Sequence, residues 1–195
     1  MMTTFAVSAP KAMNTPSTSQ DPTRSLLCAV LEDEKLAVVR VVGRGNFGNS
    51  MALKNFAAKI LARGEEFRLL VDMRYCDAMD STFMGVLAGV AINIHRKSSA
   101  KLVIANISDH CRRLLKNLGL IGLLDIHNDF AGEMAQAEDS LTPATPVNAS
   151  RIEQICLTLA AHQELVAIDG QNQIRFQAVI EYLEKSLQDE KKQDQ

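Results

Sequence analysis

A glycine-rich segment, Gly43-Arg-Gly45-Asn-Phe-Gly48, has the residue types and spacing of a phosphate-binding loop. It forms a GxGxxG motif between a predicted strand and a predicted helix, where glycines allow a dinucleotide pyrophosphate to approach a helix N-terminus. Asp72 ends the next predicted strand, the position of an acidic ribose ligand in such folds. However, the preceding strand is the second arm of a hairpin, and too little chain follows for a second nucleotide-binding half. We therefore interpret the segment as a strand-to-helix turn that needs a positive φ, with nucleotide binding as an alternative.

A second segment, Asp80-Ser81-Thr82-Phe83-Met84-Gly85-Val86-Leu87, begins a predicted helix after a predicted loop of about seven residues. Asp and Ser are among the residues that best cap a helix N-terminus, and such a cap contributes about 1 kcal/mol. The residue types alone therefore predict a helix cap at this position.

The remaining residues of catalytic or metal-binding type show no functional spacing. The four histidines form no HxxH or HExxH pattern, and the four cysteines form no CxxC pair. No serine lies in a GxSxG motif, so no nucleophile elbow is present. We expect no metal, no cofactor and no catalytic residues, and we expect buried free thiols. The residues concerned are His95, His110, His127, His162, Cys28, Cys76, Cys111 and Cys156.

Hydrophobic periodicity predicts an α/β fold in which a mixed β-sheet is covered by helices. The order of elements is ββαβαβαβα, and it begins with a hairpin of two β-branched strands. Predicted strands are Leu26–Leu31, Leu36–Val42, Phe67–Met73, Lys101–Ile107 and Leu123–Ile126. Predicted helices begin at Asn49 or Ser50, near Ser81 and at Ser108, and a short helix lies near 131–138.

The composition along the chain divides it into five parts. Residues 1–24 are rich in Ser, Thr and Pro and predict a disordered tail, and 25–140 form the α/β domain. Residues 141–149 predict a linker, 150–188 a C-terminal helical hairpin and 189–195 a disordered tail. Each hairpin helix has one apolar face, so the hairpin is expected to dock on the domain or on a second copy of the chain.

The overall composition excludes several classes of function. Among 195 residues, 21 Lys and Arg balance 23 Asp and Glu, and the formal net charge is −2. This near-neutral balance gives no field for binding nucleic acid or an acidic membrane surface. No apolar run is long enough to span a membrane, and the N-terminus lacks the apolar core of a secretory signal. We therefore expect a cytoplasmic protein that binds neither nucleic acid nor membrane.

Three segments together resemble the STAS domain, the fold of bacterial anti-sigma-factor antagonists. Asp80–Leu87 is similar to the family's D-S-S-G-L-G-V-L signature, and Val41–Asn46 looks like its strand-end G-E-L-D turn. The segment from Ala105 to Leu120 looks like its strand–helix unit with a terminal glycine-leucine pair. The resemblance covers about residues 25–140, which excludes the C-terminal hairpin.

The resemblance implies a non-enzymatic switch. A serine-kinase anti-sigma factor would phosphorylate Ser81, the unphosphorylated form would bind that kinase, and a phosphatase would reset the system. Thr82 offers a second hydroxyl, Phe83 and Met84 replace the family's Gly and Leu, and Asn46 replaces its usual Asp. The expected partner-binding residues are Arg44, Asn46, Asp80, Thr82, Phe83, Met84 and Gly85. Two alternatives are a non-switching STAS scaffold or homo-oligomer subunit, and nucleotide binding at Gly43–Gly48.

Overall fold

The computed structural model describes residues 25–64, 67–128 and 130–193. The predicted N-terminal tail, 1–24, lies outside the described residues. The strands are β1 (Leu26–Leu31), β2 (Leu36–Gly45), β3 (Arg68–Met79), β4 (Leu102–Ala105), β5 (Leu124–His127) and β6 (Thr142–Pro143). The helices are α1 (Phe47–Leu61), α2 (Ser81–Ser98), α3 (Asp109–Asn117), α4 (Ala131–Glu138), α5 (Arg151–Ile168) and α6 (Gln171–Gln193), with a 3₁₀ turn at Leu120–Leu123.

The six strands form one mixed sheet in the order β5-β4-β3-β2-β1-β6. β1 is antiparallel to both of its neighbours, whereas β2, β3, β4 and β5 run parallel. Parallel neighbours need crossover connections, and α1, α2 and α3 provide them. The mixed α/β fold predicted from the sequence, with its C-terminal helices, is therefore confirmed.

Alternating residues along the central strands face two different cores. Val39 and Val71 belong to the larger core, which also contains the buried sides of α1, α2 and α3. Val38 and Leu70 point to the opposite face, where Met134 of α4 covers them. This two-residue period is the expected consequence of strand geometry.

The strand β3 is longer than its predicted extent, which ended at Met73. Its second half pairs with the end of β2, in a register that joins Gly43 to Cys76 and Gly45 to Met79. The predicted loop before α2 is therefore mostly strand. Register shifts between β2 and β3 break the strict alternation of buried and exposed residues that identifies a strand in a sequence. The exposed polar residues of this part, such as Arg74 and Asp77, therefore had the pattern of a loop.

The glycine-rich segment is the end of β2 and not a separate loop. Gly43 has φ 74°, the positive value that the sequence predicted, but it lies inside the strand beside a register shift. Position 45 has no space for a side chain, because a Cβ there would lie 2.6 Å from Cδ1 of Phe83. α1 then begins at Phe47 with Asn46 as its cap, whereas the sequence placed the cap at Asn49 or Ser50.

Both ends of the C-terminal region differ from the predicted boundaries. The first part of the predicted linker forms β6, in which Thr142 and Pro143 pair with the edge of β1. The last helix, α6, continues to Gln193, so 189–193 are helical and not part of a disordered tail. No helix in the described ranges has the length and apolar character needed to cross a membrane.

The C-terminal hairpin packs on the α/β domain through α5. Leu157, Ala161 and Leu165 are buried and belong to the main core. Full burial of a leucine side chain contributes roughly 1.5–3 kcal/mol before entropic costs, so two of them make docking favourable. α6 packs on α5, and its Asn172 side chain donates to the carbonyls of Leu118 and Leu165.

All four cysteines are free, and three of them are buried. Cys156 is exposed, which corrects the expectation of four buried thiols. Burial, together with the nearby Cys111 thiol, raises the pKa of Cys76 to about 12. Because the thiolate is the reactive form, Cys76 is unreactive near neutral pH.

A buried ionic network ties α4 to the sheet. The Nε atom of Arg40 donates to Asp72 at 2.8 Å, and both terminal nitrogens of Arg40 donate to Glu138. Asp72 also accepts from Asn106 and from the backbone N–H of Arg74. Arg40 and Asp72 are almost fully buried, so the Asp72 charge depends on Arg40, whereas Asp72 and Glu138 together compensate Arg40.

The hydrogen bonds from Arg40 hold the pKa of Glu138 below its usual value of 4.5. A carboxylate with a lowered folded-state pKa stabilises the fold above its unfolded pKa, and this contribution is lost as pH falls through the folded pKa. We predict that Glu138→Gln lowers the melting temperature at pH 7 and that its difference from the unsubstituted chain shrinks towards pH 3. Thermal unfolding followed by circular dichroism tests this, and an equal difference at both pH values would contradict it.

Candidate functional site

The candidate site lies where β2 and β3 end and α1 and α2 begin. The backbone N–H of Asp80 donates to the carbonyl of Gly45 at 2.9 Å, which joins the two strand ends. The Asp80 side chain is the N-cap of α2 and accepts from the N–H of Phe83 at 2.8 Å. Its other oxygen accepts from the N–H of Phe47, the first residue of α1, also at 2.8 Å. One carboxylate therefore satisfies backbone donors at two helix N-termini, where negative charge is favoured.

Ser81 is the first residue of α2, and its hydroxyl is not the helix cap. Its Oγ lies 2.9 Å from Nε2 of His162 in α5. The other ring nitrogen of His162, Nδ1, lies 2.8 Å from the carbonyl of Thr158. Since a carbonyl only accepts, Nδ1 carries a proton, and in a neutral ring Nε2 then accepts the Ser81 hydroxyl hydrogen. The helix cap that the sequence predicts at this position is Asp80, and the Ser81 hydroxyl contacts His162 instead.

His162 is only 3% exposed. The ring of Phe176 in α6 packs edge-on against it with centroids 5.0 Å apart. His162 therefore connects Ser81 to both helices of the hairpin. The spacing of His162 predicted no metal-binding or catalytic role, and its hydrogen-bond partner could not be inferred from the sequence.

The next four residues of the signature are buried. Thr82 is 6% exposed, Phe83 is fully buried and Met84 is 6% exposed. Gly85 faces Ala161 of α5 so closely that a Cβ would lie 2.3 Å from the Ala161 carbonyl oxygen. The two replacements of the family's Gly and Leu thus fill the core instead of forming an exposed apolar patch.

The remaining predicted contact residues lie at the rim of the site. Arg44 is exposed at the end of β2. Asn46 is partly buried and forms a capping box with Asn49. Phe47 is 38% exposed beside them, and sequence reasoning did not select it. Arg44, Asn46, Asp80 and Ser81 are thus brought together, while Thr82 to Gly85 lie beneath the surface.

Asp72, the acid of the GxGxxG hypothesis, is not positioned to hold a ribose. Its side chain is fully buried, and its two oxygens accept from Arg40, Asn106 and the N–H of Arg74. Moreover, Gly43 and Gly45 are paired with β3 instead of forming an open cradle. These contacts favour a structural role for the whole segment.

The hydroxyl of Ser81 is engaged by α5 through its contact with His162. A cavity of about 360 Å³ lies between α1, α2 and α5, and Gly85, Gly89 and Ala161 line it. Ser81 does not line this cavity. Across the ranges that the structure describes, no group of three or more His, Cys, Asp or Glu side chains could hold a metal ion.

The contact that sequence reasoning missed is the approach of α5 to α2. Its only sequence signal is that His162 shares a helical face with apolar residues, seven positions after Ile155 and three before Leu165. Such a position indicates a buried polar group that needs a partner. It does not identify Ser81 as that partner.

Comparison with known families gives a result that agrees with this architecture. A family model described as "Mlab, STAS domain" matches residues 28–125, which is just over half of the chain. The resemblance to the STAS domain inferred from the sequence is confirmed by this match. No curated protein sequence matches the chain.

Several solved structures are similar to part of the chain. A putative anti-sigma factor antagonist from Thermotoga maritima is 13% identical, with a TM-score of 0.48, and the match covers 60% of this chain and 97% of that one. The anti-sigma factor antagonist SpoIIAA in its unphosphorylated form is 15% identical, with a TM-score of 0.45 and coverage of 58% and 95%. Phosphorylated SpoIIAA, a Bacillus cell-fate determinant, is 14% identical, with a TM-score of 0.44 and coverage of 58% and 98%.

The double contact of Asp80 predicts an unusually costly cap. A single N-cap substitution costs about 0.5–2 kcal/mol, and here two helix starts lose an acceptor. We predict that Asp80→Ala lowers the free energy of unfolding by about 2–3 kcal/mol, and that Asp80→Asn, which keeps one accepting oxygen, has a smaller effect. Urea denaturation measures both, and equal losses for Ala and Asn would contradict the two-helix role.

The bond between Ser81 and His162 predicts energetic coupling across the hairpin interface. Ser81→Ala leaves the buried Nε2 of His162 without a donor, which costs about 1–3 kcal/mol. In a double-mutant cycle with His162→Ala, we expect a coupling energy of about 1 kcal/mol from urea denaturation. Strictly additive effects would show that the two side chains do not interact.

Proposed function

Because the chain belongs to the STAS domain family, we propose that it is a protein-binding module controlled by phosphorylation of Ser81. The observation that carries this proposal is the position of the Ser81 hydroxyl, at the first turn of α2 beside the Asp80 cap. A phosphate at a helix N-terminus is close to free backbone N–H groups and to the positive end of the helix dipole. The modification is therefore compatible with an intact α/β domain.

The proposed reaction at Ser81 is transfer of the γ-phosphoryl group of a nucleoside triphosphate by a separate kinase. The Oγ–P bond forms, the bond to the leaving nucleoside diphosphate breaks, and the hydroxyl proton goes to a base. The product carries about −1.5 to −2 charges at pH 7. A partner whose surface fits the unphosphorylated form has no groups that compensate this negative charge and no space for the phosphate. Phosphorylation would therefore weaken its binding.

The proposed acceptor is Ser81 and not Thr82. Thr82 is 6% exposed, whereas Ser81 is only partly buried. The burial of Thr82 beneath the helix start makes its hydroxyl less accessible to a kinase than that of Ser81. This difference supports the choice between two adjacent hydroxyls that the sequence left open.

The proposed partners are a serine-kinase anti-sigma factor, which would bind and phosphorylate the module, and a phosphatase that would reset it. Arg44, Asn46 and Asp80 form the rim that such a partner would contact first. The buried residues beneath this rim would support its shape through packing; they are Thr82, Phe83, Met84 and Gly85. On this proposal the protein acts in cytoplasmic transcription regulation as a binding module and not as an enzyme.

A second candidate is a non-switching STAS scaffold or oligomer subunit. The specific observation in its favour is that α5 already covers the signature at Gly85 and Ser81. In that case the hydrogen bond to His162 would serve only to fix the hairpin. Nucleotide binding at Gly43–Gly48 is less favoured because the segment is a paired strand end.

The phosphoacceptor proposal predicts one modified residue. In protein purified from its native host, phosphopeptide mass spectrometry should find phosphate on Ser81, and Ser81→Ala should abolish it. The matched control Thr82→Val, which keeps the side-chain shape, should retain the modification. In a pull-down from native-host lysate, the Ser81→Ala variant should capture a kinase that the Ser81→Asp variant does not capture.

Phosphate that persists in Ser81→Ala, or that disappears in Thr82→Val, would show that Ser81 is not the phosphorylated residue. Complete absence of phosphate, together with equal partner capture by Ser81→Ala and Ser81→Asp, would favour the non-switching scaffold.

A further inference from the structure

The hairpin of α5 and α6 occupies the face of α2 on which Ser81 lies. The two helices approach closely at Gly85, where the Ala161 backbone fills the space that a side chain would take. One turn earlier on α2, Ser81 is bonded to His162. The same α5 surface thus covers the first two turns of α2, which are the turns that carry the signature.

We propose that this hairpin is an intramolecular lid over Ser81, and that a closed lid and a phosphorylated Ser81 exclude each other. The first half of the proposal stands on the contacts of α5 alone. The second half rests on the proposed function, because it names phosphate on Ser81. Both halves go beyond a STAS switch whose partner surface is open.

Space at the hydroxyl supports the exclusion. The Oγ of Ser81 and Nε2 of His162 are 2.9 Å apart, so no phosphoryl group fits between them. His162 cannot simply rotate away, because its Nδ1 is bound to the Thr158 carbonyl and Phe176 packs against its ring. With Ser81 in the rotamer that the structure has, a phosphoryl group on Oγ would therefore have to displace α5 together with the ring.

The hairpin is built to move as one unit. Its first turn is capped within the hairpin. The Ser150 side chain accepts from the backbone N–H of Glu153, and the Glu153 side chain accepts from the backbone N–H of Ser150. The turn between its helices is also internal, because the side chain of Asp169 accepts from the N–H of Gln171. Arg151 at the start of α5 pairs with Glu190 near the end of α6 at 3.0 Å. None of these contacts would be lost if the hairpin left α2.

By contrast, the polar attachments of the hairpin to the α/β domain are few and local. Besides the Ser81 contact, Asn172 donates to the Leu118 carbonyl and Arg175 donates to the Asn117 carbonyl. Both of these carbonyls lie at the end of α3. Within the described ranges, the other attachment is apolar packing around Leu157 and Leu165. A partner that supplies an apolar helix with a small residue at the crossing point could replace this packing.

Two glycines on the same helix provide a matched test of the lid. A Cβ at Gly85 would lie 2.3 Å from the Ala161 oxygen, which is backbone and cannot move aside without moving α5. A Cβ at Gly89 would lie 3.9 Å from the Glu164 side chain, an ordinary contact. Gly85→Ala and Gly89→Ala therefore make the same chemical change in α2 but only the first opposes docking.

The measurement is hydrogen–deuterium exchange of the full chain. In Gly85→Ala we expect α5 amides to exchange at least tenfold faster, while β2 and β3 keep their protection. In Gly89→Ala we expect all these rates to stay within about twofold of the unsubstituted chain. Equal α5 exchange in the two variants would overturn the lid. So would loss of sheet protection together with α5 in Gly85→Ala, because the hairpin would then be an integral part of the core.

The exclusion is tested with a charge at position 81. Ser81→Asp should accelerate α5 exchange at least tenfold, Ser81→Ala should have a smaller effect, and the exposed control Ser140→Asp should have none. Unchanged α5 exchange in Ser81→Asp would overturn the exclusion. None of these measurements needs a kinase or a partner. Failure of the lid is thus distinguishable from failure of the phosphorylation proposal, which mass spectrometry tests separately.

Discussion

The Asp80 carboxylate is the point on which the arrangement of the site depends. It accepts from the first turns of α1 and α2 at once, directly beyond the paired ends of β2 and β3. Backbone donors in the first turn of a helix have no partner within the helix and are satisfied by such acceptors. By satisfying two of them with a single side chain, Asp80 fixes the relative position of both helix starts. Ser81 follows directly, so its hydroxyl emerges at a defined place on the molecule.

The packing around this point is unusually close. Gly45 allows the Phe83 ring to lie against β2, and Gly85 allows α5 to lie against α2. Phe83 takes the place of a small residue in the related signature, and its ring is accommodated in the core by the absence of a side chain at Gly45. Since protein interiors are close-packed, a side chain added at either glycine would displace the neighbouring group. The signature region therefore has both a structural role in the core and a surface role at its rim.

The C-terminal hairpin covers the helix face that carries the family signature. In the α/β domain alone, the first turns of α2 would be open to a partner. Here α5 provides Leu157, Ala161 and His162 to that surface, so an apolar contact and a hydrogen bond are both made within the chain. Any external protein would have to compete with a covalently attached occupant, whose effective concentration is high. The extra helices are thus relevant to binding and not only to stability.

The sequence alone determined the order of elements, the mixed sheet, most strand and helix starts and the position of Ser81 at the start of α2. These features depend on periodicity, capping residues and glycines that act over a few neighbours. The length of β3, the contact of Asp80 with α1 and the burial of Phe83 and Met84 were decided by tertiary structure. So was the meeting of Ser81 with His162, which is 81 residues away along the chain. The physical reason is that local patterns fix which face of a helix is apolar, whereas the geometry of packing decides which surface that face covers.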